Sequence, residues 1–175
     1  MSKELNDLKA FLTLATEVLK TTQKGSREVL KYVYSDDKKL VVTDGHILVT
    51  MDKTTENIAP GFYNIAKVGK ELTLISSNFE GNYPDYTRVI PKYSSKPLTI
   101  AFTKTEYMCD LIKLQNVALK YCGGYVKEQF FELLKKSEFI YQVFTPEKEC
   151  GEEERYPVIF KANELTVVVM PKPIK

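Results

Sequence analysis

Histidine occurs once in this chain of 175 residues and tryptophan not at all. The three cysteines, Cys109, Cys122 and Cys150, form no Cys-x-x-Cys pair. Zinc sites draw several Cys or His from short spacings, so a zinc fold is excluded. A Ser-His-Asp or Cys-His catalyst would have to use His46, and no positioned nucleophile accompanies it. No Walker loop, Gly-x-Gly-x-x-Gly or His-Glu-x-x-His run occurs. Asp36-Asp37 reads as a solvated turn rather than a metal pair. An enzyme is therefore disfavoured, and no cofactor or metal is expected. No apolar run approaches the ~20 residues that span a bilayer. The N-terminus, MSKELNDLKAF, carries acids and lacks the apolar core of an export signal, so a cytoplasmic protein with reduced thiols is expected. The net charge of +2 is too small to argue for nucleic acid by itself, and any DNA contact must come from a local arrangement of lysines.

What the chain does have is apolar material for a core, 43% of its residues, arranged in short alternating runs. The organising stretch is KLVVTDGHILVTMD, Lys39 to Asp52. Asp44-Gly45 between two β-branched runs predicts a hairpin with a type I′ turn, positive in φ at both central residues. Asp44 is then explained by turn chemistry. Two later stretches, Asn82 to Lys92 and Leu165 to Lys172, suit the same spot, so three segments are expected to converge on one apolar pocket.

Residues 4–20 read as an amphipathic helix with Leu5, Leu8, Leu12, Ala15 and Leu19 at 3,4 spacing, Phe11 and Val18 beside them, and Ser2 as N-cap. Its flank carries Lys3, Lys9, Lys20, Lys24 and Arg27, for which a solvated face is the plain alternative. Glu28 to Tyr34 alternates like a strand and completes a three-strand meander with the hairpin. Gly61 to Lys67, Glu71 to Ser76 and Tyr86 to Ile90 are further strands. Tyr93 to Lys96 is the linker, dividing the chain into domains 1–94 and 95–175. The second half opens with a strand, Pro97 to Phe102. A helix capped by Thr103 or Thr105 runs from there to Tyr121 and breaks at Cys122-Gly123-Gly124. A shorter helix follows over Tyr125 to Lys136, then strands at Glu138 to Thr145, Tyr156 to Ala162 and Leu165 to Met170. Each half thus offers a helix followed by three antiparallel strands, an α+β architecture.

Three stretches resemble the bacterial DNA polymerase sliding clamp, the β subunit family. VVTDGHILV looks like that family's TDGHRLA hairpin. EGNYPDYTRVIPK, Glu80 to Lys92, looks like its FPDYRRVLPK segment. VVVMPKPI, Val167 to Ile174, looks like its C-terminal VVMPMRL. The resemblance implies a DNA-clamp-like fold, with antiparallel sheets outside and helices on one face. It also implies a pocket for short linear peptides of polymerases and their partners. Carried over position by position, the pocket takes Thr43, Gly45, His46, Ile47 and Leu48 from the hairpin. The middle segment adds Pro84, Arg88 and Val89, and the tail adds Val168, Val169, Met170 and Pro171. Gly45 lets a ligand approach the backbone, and Met170 repacks around different partners. For Val89 and Val168, as for Val41, a core role competes evenly, because strand residues alternate between faces.

Departures from the family pattern bear on the same residues. Ile47 stands where the family has Arg, which makes the expected rim more apolar, and Lys172-Pro173 stands where it has Met-Arg. The chain is less than half the family's usual length. A first domain is therefore expected to be absent, and Gly61 to Ser76 to lack the helix of a second half-domain. This is a reduced, phage-type pattern, which implies the host cytoplasm. By resemblance the helices carry Lys9, Lys20, Lys24, Arg27, Lys113, Lys120, Lys127, Lys135 and Lys136 toward the phosphates of duplex DNA without reading bases. Family rings hold six domains, so two per chain imply a homo-oligomer of three and one elaborated domain implies six. The runner-up is a regulatory protein that binds clamp-interaction peptides without encircling DNA. An enzyme acting through His46 and Asp44 is the third reading.

Overall fold

The computed structural model describes residues 3–22, 27–53, 57–93, 97–101, 107–137, 139–147, 149, 151 and 154–173. The expected caps Ser2, Thr103 and Thr105, the helix-flanking Lys24, and linker residues 94–96 lie outside the described residues. The fold is mixed α+β, with three α-helices and nine strands among the described residues. Chain contacts divide it into two units, residues 1–85 with 163–165, and residues 86–162 with 166–175.

The first unit contains α1 (Lys3–Thr22), a 3-10 helix (Glu28–Lys31) and five strands. These are β1 (Val33–Ser35), β2 (Lys39–Thr43), β3 (Ile47–Asp52), β4 (Gly61–Val68) and β5 (Glu71–Ser76). They lie side by side as β5-β4-β1-β2-β3, antiparallel throughout. The expected meander forms, with Tyr34 opposite Val41 and Val42 opposite Val49. α1 covers β2, β3 and β5. Its buried face is Ala10, Phe11, Leu12, Leu14, Ala15 and Val18; Leu12 and Ala15 of the predicted stripe and the flanking Phe11 and Val18 are in it, whereas Leu8 and Leu19 are only half-buried. Two polar residues on α1, Asp7 and Thr22, are buried with it. Asn163 donates to the Asp7 carboxylate at 3.0 Å, and Thr22 donates its hydroxyl to Leu19 O at 2.8 Å.

Two predicted strands are instead 3-10 turns. Over Glu28–Lys31, Leu30 N donates to Arg27 O at 2.9 Å, and Lys31 pairs with Glu28 across one turn at 2.5 Å. Only Val33–Ser35 of that stretch joins the sheet. Tyr86–Val89 is the second, lying between Pro84 and Pro91, which cannot donate to a ladder. The segment before it is pinned by stacked rings: Tyr83 lies on Tyr34 and Phe79 on Tyr32, both at 4.7 Å, with Phe62 edge-on to Phe79.

The second unit holds that turn, β6 (Leu98–Ala101), α2 (Tyr107–Cys122), α3 (Glu128–Lys135), β7 (Ile140–Phe144), β8 (Val158–Ala162) and most of β9 (Leu165–Val169). Its strands run β9-β8-β7-β6. β7 alternates as a one-sided strand does, with Tyr141 and Val143 buried and Ile140 and Gln142 exposed. The buried Tyr141 ring meets Phe160 edge-on at 6.2 Å, and its hydroxyl lies 2.6 Å from Ser137 Oγ. α3 starts three residues later than predicted, because Tyr125 is bridged to Lys172 and Lys127 is still extended. Tyr93 donates its hydroxyl to Pro157 O at 2.8 Å. Burial, with the Cys122 thiol and Tyr156 close by, lifts that hydroxyl well above the ordinary phenol range.

Candidate functional site

The hairpin tip is built by its own side chains. Thr43 pairs with Leu48, and Asp44 N donates to Ile47 O at 3.3 Å, so Gly45 and His46 are the two central residues. Gly45 has φ +90° and His46 is not positive, which is the type II′ pattern, with glycine at the first central position. The predicted type I′ turn was placed one residue too early. The Asp44 carboxylate decides the placement. Its Oδ1 accepts from His46 N at 2.8 Å and Ile47 N at 2.9 Å. Its Oδ2 lies 2.7 Å from the Thr21 hydroxyl, which ties the tip to the end of α1. Thr43 donates its hydroxyl to Ile47 O at 2.7 Å and accepts from Gly45 N at 3.0 Å.

Gly45 and His46 are thus offered to solvent on a rigid turn, while Ile47 and Leu48 are 2% and 4% exposed. Ile47 therefore supports the turn from within rather than lining a rim. Pro84 is exposed and follows the stacked Tyr83. These residues belong to the first unit. In the second unit, Arg88 and Val89 are exposed on the 3-10 turn, with Val89 at 54%. Val168 and Val169 are buried in β9, Met170 just beyond it is 43% exposed, and Pro171 is buried again. The valines are core, and the methionine is the apolar side chain the tail leaves accessible.

The basic residues are less uniform than their spacing implied. Lys9 and Lys20 share one exposed face of α1, about three turns apart. Lys20 is paired with Glu17 at 2.8 Å. Arg27 is exposed beside the first 3-10 helix. On α2, Lys113 and Lys120 share an exposed face. Lys120 is paired with Glu149 at 2.9 Å, and that hydrogen bond and charge raise its pKa. Lys127 is half-buried at the start of α3. Lys135 pairs with Glu132 at 3.0 Å, and Lys136 is exposed at the helix end. A cleft of about 610 Å³, lined by Thr16, Leu19, Lys20, Lys31, Asn64 and Ile65, opens beside α1. Among its residues Lys20 is a predicted DNA contact and Leu19 belongs to the predicted apolar stripe.

Among the described residues no group of three or more His, Cys, Asp or Glu is placed to hold a metal. No described helix is long and apolar enough to cross a membrane.

No family model matches the chain, and no curated protein matches it. Solved structures do. The β sliding clamp of C. crescentus superposes with a TM-score of 0.56 over 97% of this chain, at 14% identity. The fold is that of a bacterial sliding clamp. The β subunit of Streptococcus pyogenes DNA polymerase matches at TM-score 0.55 and 11% identity, over 95% of this chain. The Helicobacter pylori clamp, solved with a DNA ligase peptide bound, matches at 0.52 and 15%, also over 95%. The match covers 64% of each of these three clamps, less than two thirds of their length. At such identities the likeness carries the fold, not the residues of a site.

Proposed function

We propose that this protein is a DNA sliding clamp, a non-enzymatic processivity factor that tethers a polymerase to duplex DNA by holding a short linear peptide. The observation that carries the reading is an agreement of two kinds. The chain has the clamp fold, and the three stretches that resemble clamp motifs each present accessible residues: Gly45 and His46, Arg88 and Val89, and Met170. Within the second unit a peptide's leucine or phenylalanine anchors pack against Met170 and Val89, and Arg88 orients its polar groups; the first unit offers His46 as a polar contact of its own. In the first unit Thr43, Ile47 and Leu48 support Gly45 and His46, with Pro84 a further exposed candidate; in the second, Val168, Val169 and Pro171 adjoin Met170. Neighbouring clamps with bound ligands support the peptide as partner.

The test is the binding of a fluorescent Gln-x-x-Leu-Phe peptide. Micromolar affinity that weakens about tenfold in Met170→Ala is expected, the loss of a partly exposed apolar anchor. A folded chain with no affinity rejects the reading. The DNA half is tested separately by titrating duplex DNA at several salt concentrations. Replacing Lys9 and Lys113 by alanine is expected to flatten the log–log salt slope by about two, near 0.9 for each phosphate contact. An unchanged slope removes those lysines from the DNA face.

The pairing of Lys20, Lys120 and Lys135 with carboxylates favours one second reading. Those ammonium groups would have to exchange partners to meet phosphates. A clamp-like regulator that binds the peptides without encircling DNA fits that surface. It predicts the same peptide affinity with no DNA binding at low salt.

A further inference from the structure

We infer that the turn Gly123-Gly124-Tyr125 is a clasp for the C-terminal tail, and that Gly124 is a positioning residue for Met170. The binding half of this inference rests on the function proposed above; the clasp itself rests on geometry alone. β9 ends at Val169, and the tail continues as Met170-Pro171-Lys172-Pro173. Pro171 and Pro173 have no N–H, so Lys172 is the only backbone donor among residues 171–173. That donor goes to Tyr125 O at 2.8 Å, and Tyr125 N returns a bond to Lys172 O at 3.0 Å. The pair forms an isolated antiparallel bridge beyond the sheet.

Glycine at 124 makes the bridge possible. Gly123 takes the left-handed conformation, φ +71°, which ends α2 and turns the chain toward the tail. A Cβ on Gly124 would overlap the Lys172 carbonyl oxygen and lie 2.9 Å from its carbon and 3.1 Å from Pro171 Cβ. The first two are backbone atoms and cannot swing aside, and Pro171 is buried. The far side of the clasp is anchored to α2. Gln115 donates from Nε2 to Val126 O at 2.6 Å, and its Oε1 accepts from Val126 N at 3.0 Å. Residues 124–126 are thereby fixed to the helix on one side and hold the tail on the other.

Met170 consequently sits between two fixed neighbours, Val169 inside β9 and Pro171 under the clasp. Without the bridge it would be the first residue of a frayed strand end. A partner would then bear the entropy of ordering it, about 1–2 kcal/mol per backbone residue, and bind more weakly for that reason.

The test uses the full chain and two readouts, amide exchange by NMR at Tyr125 and Lys172 and affinity for the fluorescent peptide. Gly124→Ala is expected to speed exchange at both amides at least tenfold and to weaken the peptide about tenfold. Lys172→Pro removes one donor at an exposed position and guards against misfolding of the glycine variant; it is expected to expose Tyr125 to exchange and to weaken the peptide likewise. Lys172→Met keeps the N–H and is expected to keep the protection of Tyr125. Met170→Ala is expected to weaken the peptide while leaving exchange slow, which separates contact from positioning. Unchanged exchange in Gly124→Ala and Lys172→Pro overturns the clasp. Faster exchange with unaltered peptide affinity overturns its role in binding. A natural chain that binds no peptide overturns the proposed function and the binding half with it, while the exchange rates still decide the clasp.

Discussion

Asp44 and Tyr141 make opposite uses of burial and hydrogen bonding. Asp44 was legible from sequence as a turn residue, and the structure gives its carboxylate three partners. Its tie to the end of α1 was not legible, because it depends on Thr21, which is remote in sequence. Tyr141 gave no signal beyond its place in an alternating run. Burial raises its hydroxyl from 10.0 to about 12, against a small opposing effect of the Ser137 hydrogen bond. The folded chain therefore holds that proton to higher pH than the unfolded chain, which releases it near pH 10. The stability this supplies is full below pH 10 and is lost as pH rises from 10 to about 12, by about 2–3 kcal/mol. Tyr141→Phe is expected to lower stability by about 1 kcal/mol at pH 7, for the lost hydrogen bond, and to move alkaline unfolding to higher pH. Denaturant melts at pH 7 and pH 11 check both signs.

At the level of elements, most of what the sequence offered was existence and type. The helix α1, the end of α2 and the strands from β2 to β5 fall where periodicity placed them, within two residues. The errors came from short runs. Glu28–Lys31 alternates over too few residues to distinguish a strand from a 3-10 turn, and Tyr86–Val89 is enclosed by prolines. The buried face of α1 was legible in part: Phe11, Leu12, Ala15 and Val18 are buried as the spacing placed them, while Asp7, Leu14 and Thr22, outside that apolar count, are buried with them. It also yields a measurable contrast. Leu14→Ala is expected to cost about 2–5 kcal/mol, because its side chain is fully buried, and Leu8→Ala clearly less. Equal losses in chemical denaturation would place Leu8 in the core beside Leu14. Of the candidate site, the exposed residues at the hairpin tip and Met170 were legible by motif. Gly124 was legible only as a helix stop, because its reason is a contact with residue 172.

For the whole molecule, two units per chain favour a ring of three copies under the proposed function. Three times 20.1 kDa is about 60 kDa, and native mass spectrometry is expected to show that species. A population at 20 kDa alone, with peptide binding intact, would favour the regulator.

The chain does not partition into its units in one cut. Residues 163–165 belong with 1–85, where Asn163 donates to the buried Asp7 and Glu164 O accepts from Asp52 N at 3.1 Å. A gene fragment ending at residue 85 would encode a unit missing the donor to its own buried carboxylate, a loss of about 1–3 kcal/mol. Duplication, fusion or shuffling of the halves is thus constrained. A recombination breakpoint near residue 85 separates Asp7 of α1 from Asn163 and Asp52 of β3 from Glu164, so the first half is not inherited as a free-standing module.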